Sequence, residues 1–165
     1  MLNLQPTLFK ENINIKPLVS ADYEEMYSAA SDPAIWAGMP AKNRWKKQPF
    51  TTWFDFMVDV GSLTIREHDK IIGATRFYIL PENRLFMGST FLIRECWGGD
   101  YNWKFRYMLI DYAFQEYDKI HIHMTHDNKR NQRATEKLGF TYVYDEEVFL
   151  GFGKKRKFMT FLLDK

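Results

Sequence analysis

Cysteine is almost missing from this chain: Cys96 is the only one in 165 residues. No internal disulfide can form, so stability has to come from a packed core, and a reducing compartment is the expected setting. A charge excess of one sign is missing too. Lysine and arginine total 23 against 21 acidic residues, for a net charge of +2. That is too near neutral to imply a nucleic acid or an anionic membrane as partner. No apolar run approaches the ~18 residues that a spanning helix needs. The opening residues 1–16, MLNLQPTLFKENINIK, lack the basic-then-apolar order of a secretory signal. Internal repeats, low-complexity tracts and linkers are absent. A cytoplasmic protein with one domain over residues 1–165 is the expectation.

What is present suits a substantial core, with 45% hydrophobic and 17% aromatic residues. Residues 13–19, INIKPLV, read as a first strand. Ser20 has the character of an N-cap, with Tyr23, Met26, Tyr27 and Ala30 along one helical face. Asp32-Pro33 ends that helix, and residues 34–47 read as irregular. Residues 51–60 give a second helix with Trp53, Phe54, Met57 and Val58 as its stripe, stopped by Gly61. Strands 63–66 and 71–80 flank a hairpin turn at Glu67-His68-Asp69-Lys70. Pro81-Glu82-Asn83 turns the chain into strand 84–93, where Gly88 marks a bulge or a close approach.

Residues 90–115, TFLIRECWGGDYNWKFRYMLIDYAFQ, are the stretch around which the rest is organised. A short apolar strand breaks at Trp97-Gly98-Gly99-Asp100-Tyr101-Asn102. From Trp103 the period is helical, with Phe105, Met108, Leu109, Tyr112 and Ala113 on one face. A strand–glycine loop–helix junction aims unpaired N–H groups and the positive end of a helix dipole at one spot, which suits a phosphate. A plain strand-to-helix turn is the other reading. Beyond it, 120–124 is a strand, Asp127-Asn128 caps a short helix ended by Gly139, and 142–144, 148–150 and 158–163 complete the sheet. Gly151-Phe152-Gly153 and basic residues lie between the last two.

This order, the glycine loop and the segment from Asn128 to Phe140, DNKRNQRATEKLGF with its leading Asp127, resemble the GNAT superfamily of acyl-CoA N-acyltransferases. The branch containing the ribosomal-protein N-terminal acetyltransferases is the most similar. The resemblance runs from about Ile13 to the C-terminus. It implies an α/β fold (α+β in some schemes) with a central mixed, mostly antiparallel sheet flanked by helices. It also implies acetyl-CoA as cosubstrate and an amine as acceptor. By the same resemblance, Phe91, Leu92 and Ile93 form a splayed strand along the pantetheine arm. Trp97, Gly98, Gly99, Asp100, Tyr101 and Asn102 occupy the pyrophosphate loop, and Asn128 and Asn131 reach the cofactor. The family loop usually has Arg or Gln, then Gly, then Gly or Ala, where this chain has Trp97, Asp100 and Asn102. Asp100 is the awkward one, since a carboxylate beside a pyrophosphate is repulsive. It would have to point outward or cap Trp103.

The acid and base are not recovered by matching. The tyrosine that many members place in the last helix is Thr135 here. The nearer branch's serine is Asn131, which can hydrogen-bond a sulfur or a water but not act as an acid. A glutamate found in some members is Phe86. Ser89, His123 and Tyr144 remain candidates, and water-mediated proton transfer is an alternative. His121, His123 and His126 lack acidic or cysteine partners at ligand spacing, so no metal is expected. Lys154-Lys155-Arg156-Lys157 reads as a solvated turn or a protected sheet edge rather than a nucleic-acid patch. Trp36, Trp45 and Trp53 belong either to the core or to the wall of an acceptor pocket. The acceptor itself is open: a protein N-terminus, an amino acid, a polyamine or a drug. A silent acyl-CoA-binding module on the same fold is the rival reading. A homodimer is compatible with the sequence, which leaves the oligomeric state open.

Overall fold

The computed structural model describes residues 1–149 and 155–165. Its frame is one eight-stranded sheet: β1 (Leu8–Lys10), β2 (Ile13–Pro17), β3 (Leu63–Glu67), β4 (Lys70–Leu80), β5 (Arg84–Leu92), β6 (Lys119–Met124), β7 (Thr141–Phe149) and β8 (Lys155–Asp164). Spatial order follows chain order except at the end, where β8 inserts between β6 and β7. Every pairing is antiparallel except β5 with β6. The sheet is therefore mixed and mostly antiparallel, as expected. Five α-helices among the described residues cover it: α1 (Tyr23–Ala29), α2 (Pro33–Trp36), α3 (Lys47–Asp59), α4 (Tyr101–Ala113) and α5 (Lys129–Lys137).

The two faces carry separate cores. Ile71 packs with Phe50, Phe54 and Met57 of α3, whereas its neighbour Ile72 packs with Phe105 and Leu109 of α4. That alternation is the period of a strand buried on both sides. Each such fully buried side chain contributes about 1.5–3 kcal/mol. No helix among the described residues is long and apolar enough to cross a membrane.

Several boundaries differ from the sequence expectation. Ser20 does not cap through its side chain; residues 20–22 form a 3-10 turn in which Asp22 Oδ2 accepts from the Val19 N–H. Asp32 caps α2, accepting from the Ala34 N–H at 2.9 Å with Pro33 at the first helical position. So residues 34–47 are not wholly irregular. α3 begins earlier than expected, at Lys47, because Pro49 falls in its first turn, where a missing N–H costs nothing. α4 starts at Tyr101 rather than Trp103. β1 was not foreseen. Residues 142–144 and 148–149 lie on one strand, β7, because polar Asp145, Glu146 and Glu147 pair across to β8 rather than turning. Leu150, Gly151, Phe152, Gly153 and Lys154 lie outside the described residues.

One irregularity positions the site. Between Ala74↔Phe91 and Arg76↔Gly88 the β4–β5 register shifts, leaving Ser89 and Thr90 opposite Thr75. Ser89 sits at φ 52°, and Thr75 Oγ1 is pinned to Thr90 Oγ1 at 2.8 Å and donates to Gly88 O. This is the bulge expected near Gly88. β5 and β6 share a single registered pair, Phe86↔His121. Beyond it β5 runs to Leu92 along β4 while β6 runs to Met124 along β8. The two parallel strands therefore part, and their exposed edges open a wedge in the middle of the sheet.

Candidate active site

Two cavities enter that wedge from opposite sides. One, of about 420 Å³, lies between the end of β5, the loop before α4 and the face of α5. The other, of about 1090 Å³, lies between α2, α3, β4 and β6. Met39, Thr90, Arg106, Asn128 and Asn131 line both, so the cavities meet at the splay.

The smaller cavity is lined by cationic side chains and by a glycine loop. The loop after β5 makes a 3-10 turn and then reaches Gly98, whose φ of 74° places it in the left-handed region that favours glycine. The backbone N–H groups of residues 98–102 make no hydrogen bond within the chain among the described residues. They stand at the positive end of the α4 dipole. A Cβ added to Gly98 would meet nothing within 4 Å, and one on Gly99 only the Tyr101 ring at 3.7 Å. The loop is thus open to close approach. Across from it, Arg130, Arg133 and Lys137 project from α5, and the Arg130 guanidinium stacks 3.5 Å from the Trp97 ring centroid. Among its described lining there is no carboxylate.

Most of the residues assigned by resemblance to the cofactor come together here: Phe91, Leu92, Trp97, Gly98, Gly99, Asn102, Asn128 and Asn131. Three do not. The Asp100 side chain is exposed and pairs with Lys104 at 3.1 Å, one turn along α4. It does not cap the helix, and the feared repulsion is turned away from the cavity. Tyr101 donates from its hydroxyl to Glu67 at 3.0 Å. Ile93 is tied by its N–H to Ile72 O. Cys96 also lines the cavity, but burial pushes its thiol up to about 11. It is therefore a poor nucleophile.

At the junction, Arg106 is 3% exposed. Its Nε donates to Asn102 Oδ1 at 3.0 Å and its Nη2 to Asn131 Oδ1 at 3.1 Å. Burial lowers its guanidinium to about 10, so it stays charged at neutral pH. Asn131 in turn is placed by Asn128, whose Oδ1 accepts the Asn131 N–H at the start of α5. Sequence reading missed Arg106 because its position on α4 looks like an ordinary solvated helix arginine.

The larger cavity holds Ser89 and His123. His123 Nε2 lies 2.6 Å from Glu146 Oε1, and its Nδ1 lies 3.4 Å from the Tyr78 hydroxyl. Since the carboxylate only accepts, Nε2 carries the proton and Nδ1 faces Tyr78 as an acceptor. Burial lowers the His123 pKa, while the bond and charge of Glu146 raise it in part. The ring is neutral at pH 7 and able to take a proton. Glu146 is pushed up by burial but held below the usual range by His123, Arg84 and Thr160. Burial pushes Tyr78 up to about 12. Tyr78 and Glu146 were both missed; they meet His123 only through the sheet. Tyr144 lies outside the cavity, accepting from Arg84 Nη1 at 2.9 Å.

Phe86 stacks on Tyr78 and His121 and lies tilted against His123. Thr135 is fully buried and does not line either cavity. His121 faces Leu85 O at 3.1 Å and His126 faces Asp145. Lys157 and Lys155 pair with Asp145 and Glu147 across β7 and β8. Trp36 and Trp53 are both core and cavity wall; Trp45 is only partly buried, with Lys46 over its ring.

The family profile described as Acetyltransferase (GNAT) domain matches residues 12–141. No match was found among curated protein sequences. Among solved structures, a GCN5-related N-acetyltransferase from Brucella melitensis superposes with a TM-score of 0.82 at 14% identity, covering 97% of this chain and 79% of that one. RimJ of Mycobacterium smegmatis, in complex with CoA-disulfide, gives 0.68 at 12% identity, covering 92% and 81%. The yncA protein of Salmonella typhimurium, solved with its cofactor acetyl-CoA, gives 0.61 at 16% identity, covering 93% and 94%. At these identities the structures speak for the fold, and the profile for the family. With a bulged β4–β5 pair, a splayed β5–β6 pair, a glycine loop before α4 and a matching profile over most of its length, the chain belongs to the GNAT acetyltransferases, enzymes that take their acetyl group from acetyl-CoA.

Proposed function

We propose that this enzyme transfers acetyl from acetyl-CoA directly to a primary amine, either a protein N-terminus or a small molecule. The observation that carries the reading is the meeting of the two cavities at Arg106 and Asn131. Acetyl-CoA enters from the smaller one. Its pyrophosphate accepts from the N–H groups of residues 98–102, its other phosphate lies near Arg133 and Lys137, and its pantetheine runs along Thr90 to Leu92. The acceptor enters from the larger one. Its nitrogen attacks the thioester carbonyl; the C–N bond forms, the C–S bond breaks, and the amine proton passes through Tyr78 or a water to His123 Nδ1. Arg106 and the Asn131 amide stabilise the developing oxyanion and the departing thiolate. The thiolate leaves as the free thiol of CoA once protonated.

Asn131 thus hydrogen-bonds rather than donates a proton as an acid. Ser89, on the bulge, serves the acceptor side. For the narrower branch of ribosomal-protein N-terminal acetyltransferases, support comes from the 128–140 segment and the likeness to RimJ in fold.

Ligand linkage and turnover test the proposal. At a hundredfold excess over Kd, a ligand specific for the folded state adds ~2.7 kcal/mol, or roughly 5–10 °C in melting temperature for a chain this long. Acetyl-CoA and CoA should both do this and adenosine far less, with NAD and ATP as phosphate controls. No shift and no saturable binding by calorimetry would end both this reading and the silent-module rival. Binding without turnover of any amine would favour the rival.

A further inference from the structure

The larger cavity contains arginines that the fold does not pair. Elsewhere the partly buried arginines end on carboxylates: Arg66 on Asp22 and Glu25, and Arg84 on Glu146. Arg44 and Arg76 line the cavity and have no carboxylate among the described residues. Burial lowers Arg44 to about 10, with no neighbouring charge to offset it; burial also lowers Arg76, with Tyr78 raising it in part. The Arg76 Nε is buried with no hydrogen-bond partner. An unpartnered buried donor is costly, and a buried cation more so.

Aromatic rings hold both in place instead. The Arg44 guanidinium lies 5.6 Å from the centroids of Trp36 and Trp53. That of Arg76 lies 5.2 Å from Phe56 and 4.6 Å from Tyr78. Stacking occupies the faces of a guanidinium and leaves its in-plane N–H fork for a planar or tetrahedral anion. Arg106 adds a cation where the cavity meets the thioester side, Arg156 lies on the same lining, and no aspartate or glutamate lines the described wall. Trp36, Trp53, Phe56, Met87 and Phe158 supply apolar surface around the charges.

We propose that Arg44 and Arg76 bind an anionic group on the acceptor, so that the substrate is a small amine with an apolar body and a carboxylate or phosphate. This rests on the acetyltransferase reading and narrows it. A polyamine or a basic peptide would set its charges against uncompensated arginines. The same cations lower the pKa of the incoming ammonium and favour the neutral amine that attacks.

The test uses the full chain with matched acceptors: phenylalanine, its aminophosphonate counterpart, phenethylamine, spermidine, and a peptide with an acidic N-terminus. The anionic small amines should exceed phenethylamine in kcat/KM by at least roughly 30-fold, the effect of a desolvated charge pair, with spermidine lowest. Arg44→Gln and Arg76→Gln should each collapse that ratio. Arg44→Met and Arg76→Met, which also remove the charge but keep an apolar stem against the rings, replace any that unfold and should collapse the ratio in the same way. The order of carboxylate and phosphonate identifies the anion. Phenylacetate and phenylphosphonate give a readout independent of turnover: one of them should raise the melting temperature of the wild type and not of the variants. Saturable acetyl-CoA binding combined with a preference for phenethylamine, spermidine or the peptide overturns this inference and leaves the acetyltransferase reading standing. So does the absence of any anion-dependent shift. Loss of acetyl-CoA binding itself removes both.

Discussion

Replacing Glu146 by glutamine tests the proposed proton path through His123. Glu146 Oε1 is 2.6 Å from His123 Nε2, 3.0 Å from the Thr160 hydroxyl and 3.2 Å from Arg84 Nη1. The charge lost on going to Gln has two consequences of opposite visibility. Stability falls by about 2 kcal/mol through the weakened Arg84 and His123 bonds, which is roughly 4–8 °C in melting temperature. Arg84→Met should cost a similar amount, because it breaks the same ion pair. The pH profile separates the two variants. The base form of His123 is neutral, so kcat/KM rises with pH through its pKa and the acid limb lies below the ordinary histidine value. Glu146 raises that pKa and Arg84 lowers it. Glu146→Gln should therefore move the acid limb to lower pH, and Arg84→Met to higher pH. Glu146→Gln should also lower the plateau by roughly 10- to 100-fold, since the amide no longer fixes the imidazole tautomer that a general base needs. Free-thiol release from acetyl-CoA across pH 5–9 measures both. An unchanged plateau in folded Glu146→Gln, with limbs that do not move in opposite directions, would remove His123 as the base.

Three further outcomes follow from the other half of the site. Gly99→Val should raise the CoA Kd at least about tenfold by filling the approach to the loop, with melting nearly unchanged because its Cβ meets only the Tyr101 ring; calorimetry and a melt check both halves. Asp100→Asn should alter CoA affinity by less than about threefold, since the carboxylate faces Lys104 and an exposed pair contributes little; a large loss would give it a role in binding. Arg106→Met should lower kcat/KM by about tenfold or more while leaving the melting temperature of the unliganded protein unchanged or higher, because a buried cation without a counter-ion costs stability. A large drop in melting with full activity would make Arg106 a structural residue.

Apart from β1 and α2, the order of strands and helices was legible in the sequence, as were the glycine loop and the apolar face of α4, because each depends on residues a few positions apart. Periodicity, caps and turn chemistry are local. So are the Gly98 backbone and the Asn128 cap of α5, which is why a resemblance places both on the lining of the smaller cavity. The long strand β7 was read as two pieces because its polar residues at 145–147 look like a turn until β8 lies beside them. The direction of Asp100 depended on Lys104, within the same helix, but several rotamers were open to it.

In the larger cavity Ser89 and His123 were named from the sequence, but the polar pairs around them were not legible, and their geometry explains why. Tyr78 and His123 are 45 residues apart, Arg84 and Glu146 are 62 apart, and Arg106 and Asn131 are 25 apart. Sequence spacing carries no trace of such pairs; the sheet order and its registers create them. Nor can a sequence say which arginine will be paired. Arg66 and Arg76 sit ten positions apart on adjacent strands, yet one finds two carboxylates and the other two aromatic rings. Composition and pattern determined that this chain would build a two-faced sheet with a phosphate-ready loop. Which polar groups would be left facing each other across the splay was decided by tertiary packing, because the electrostatics of a buried group depend on what the fold brings within a few ångströms of it.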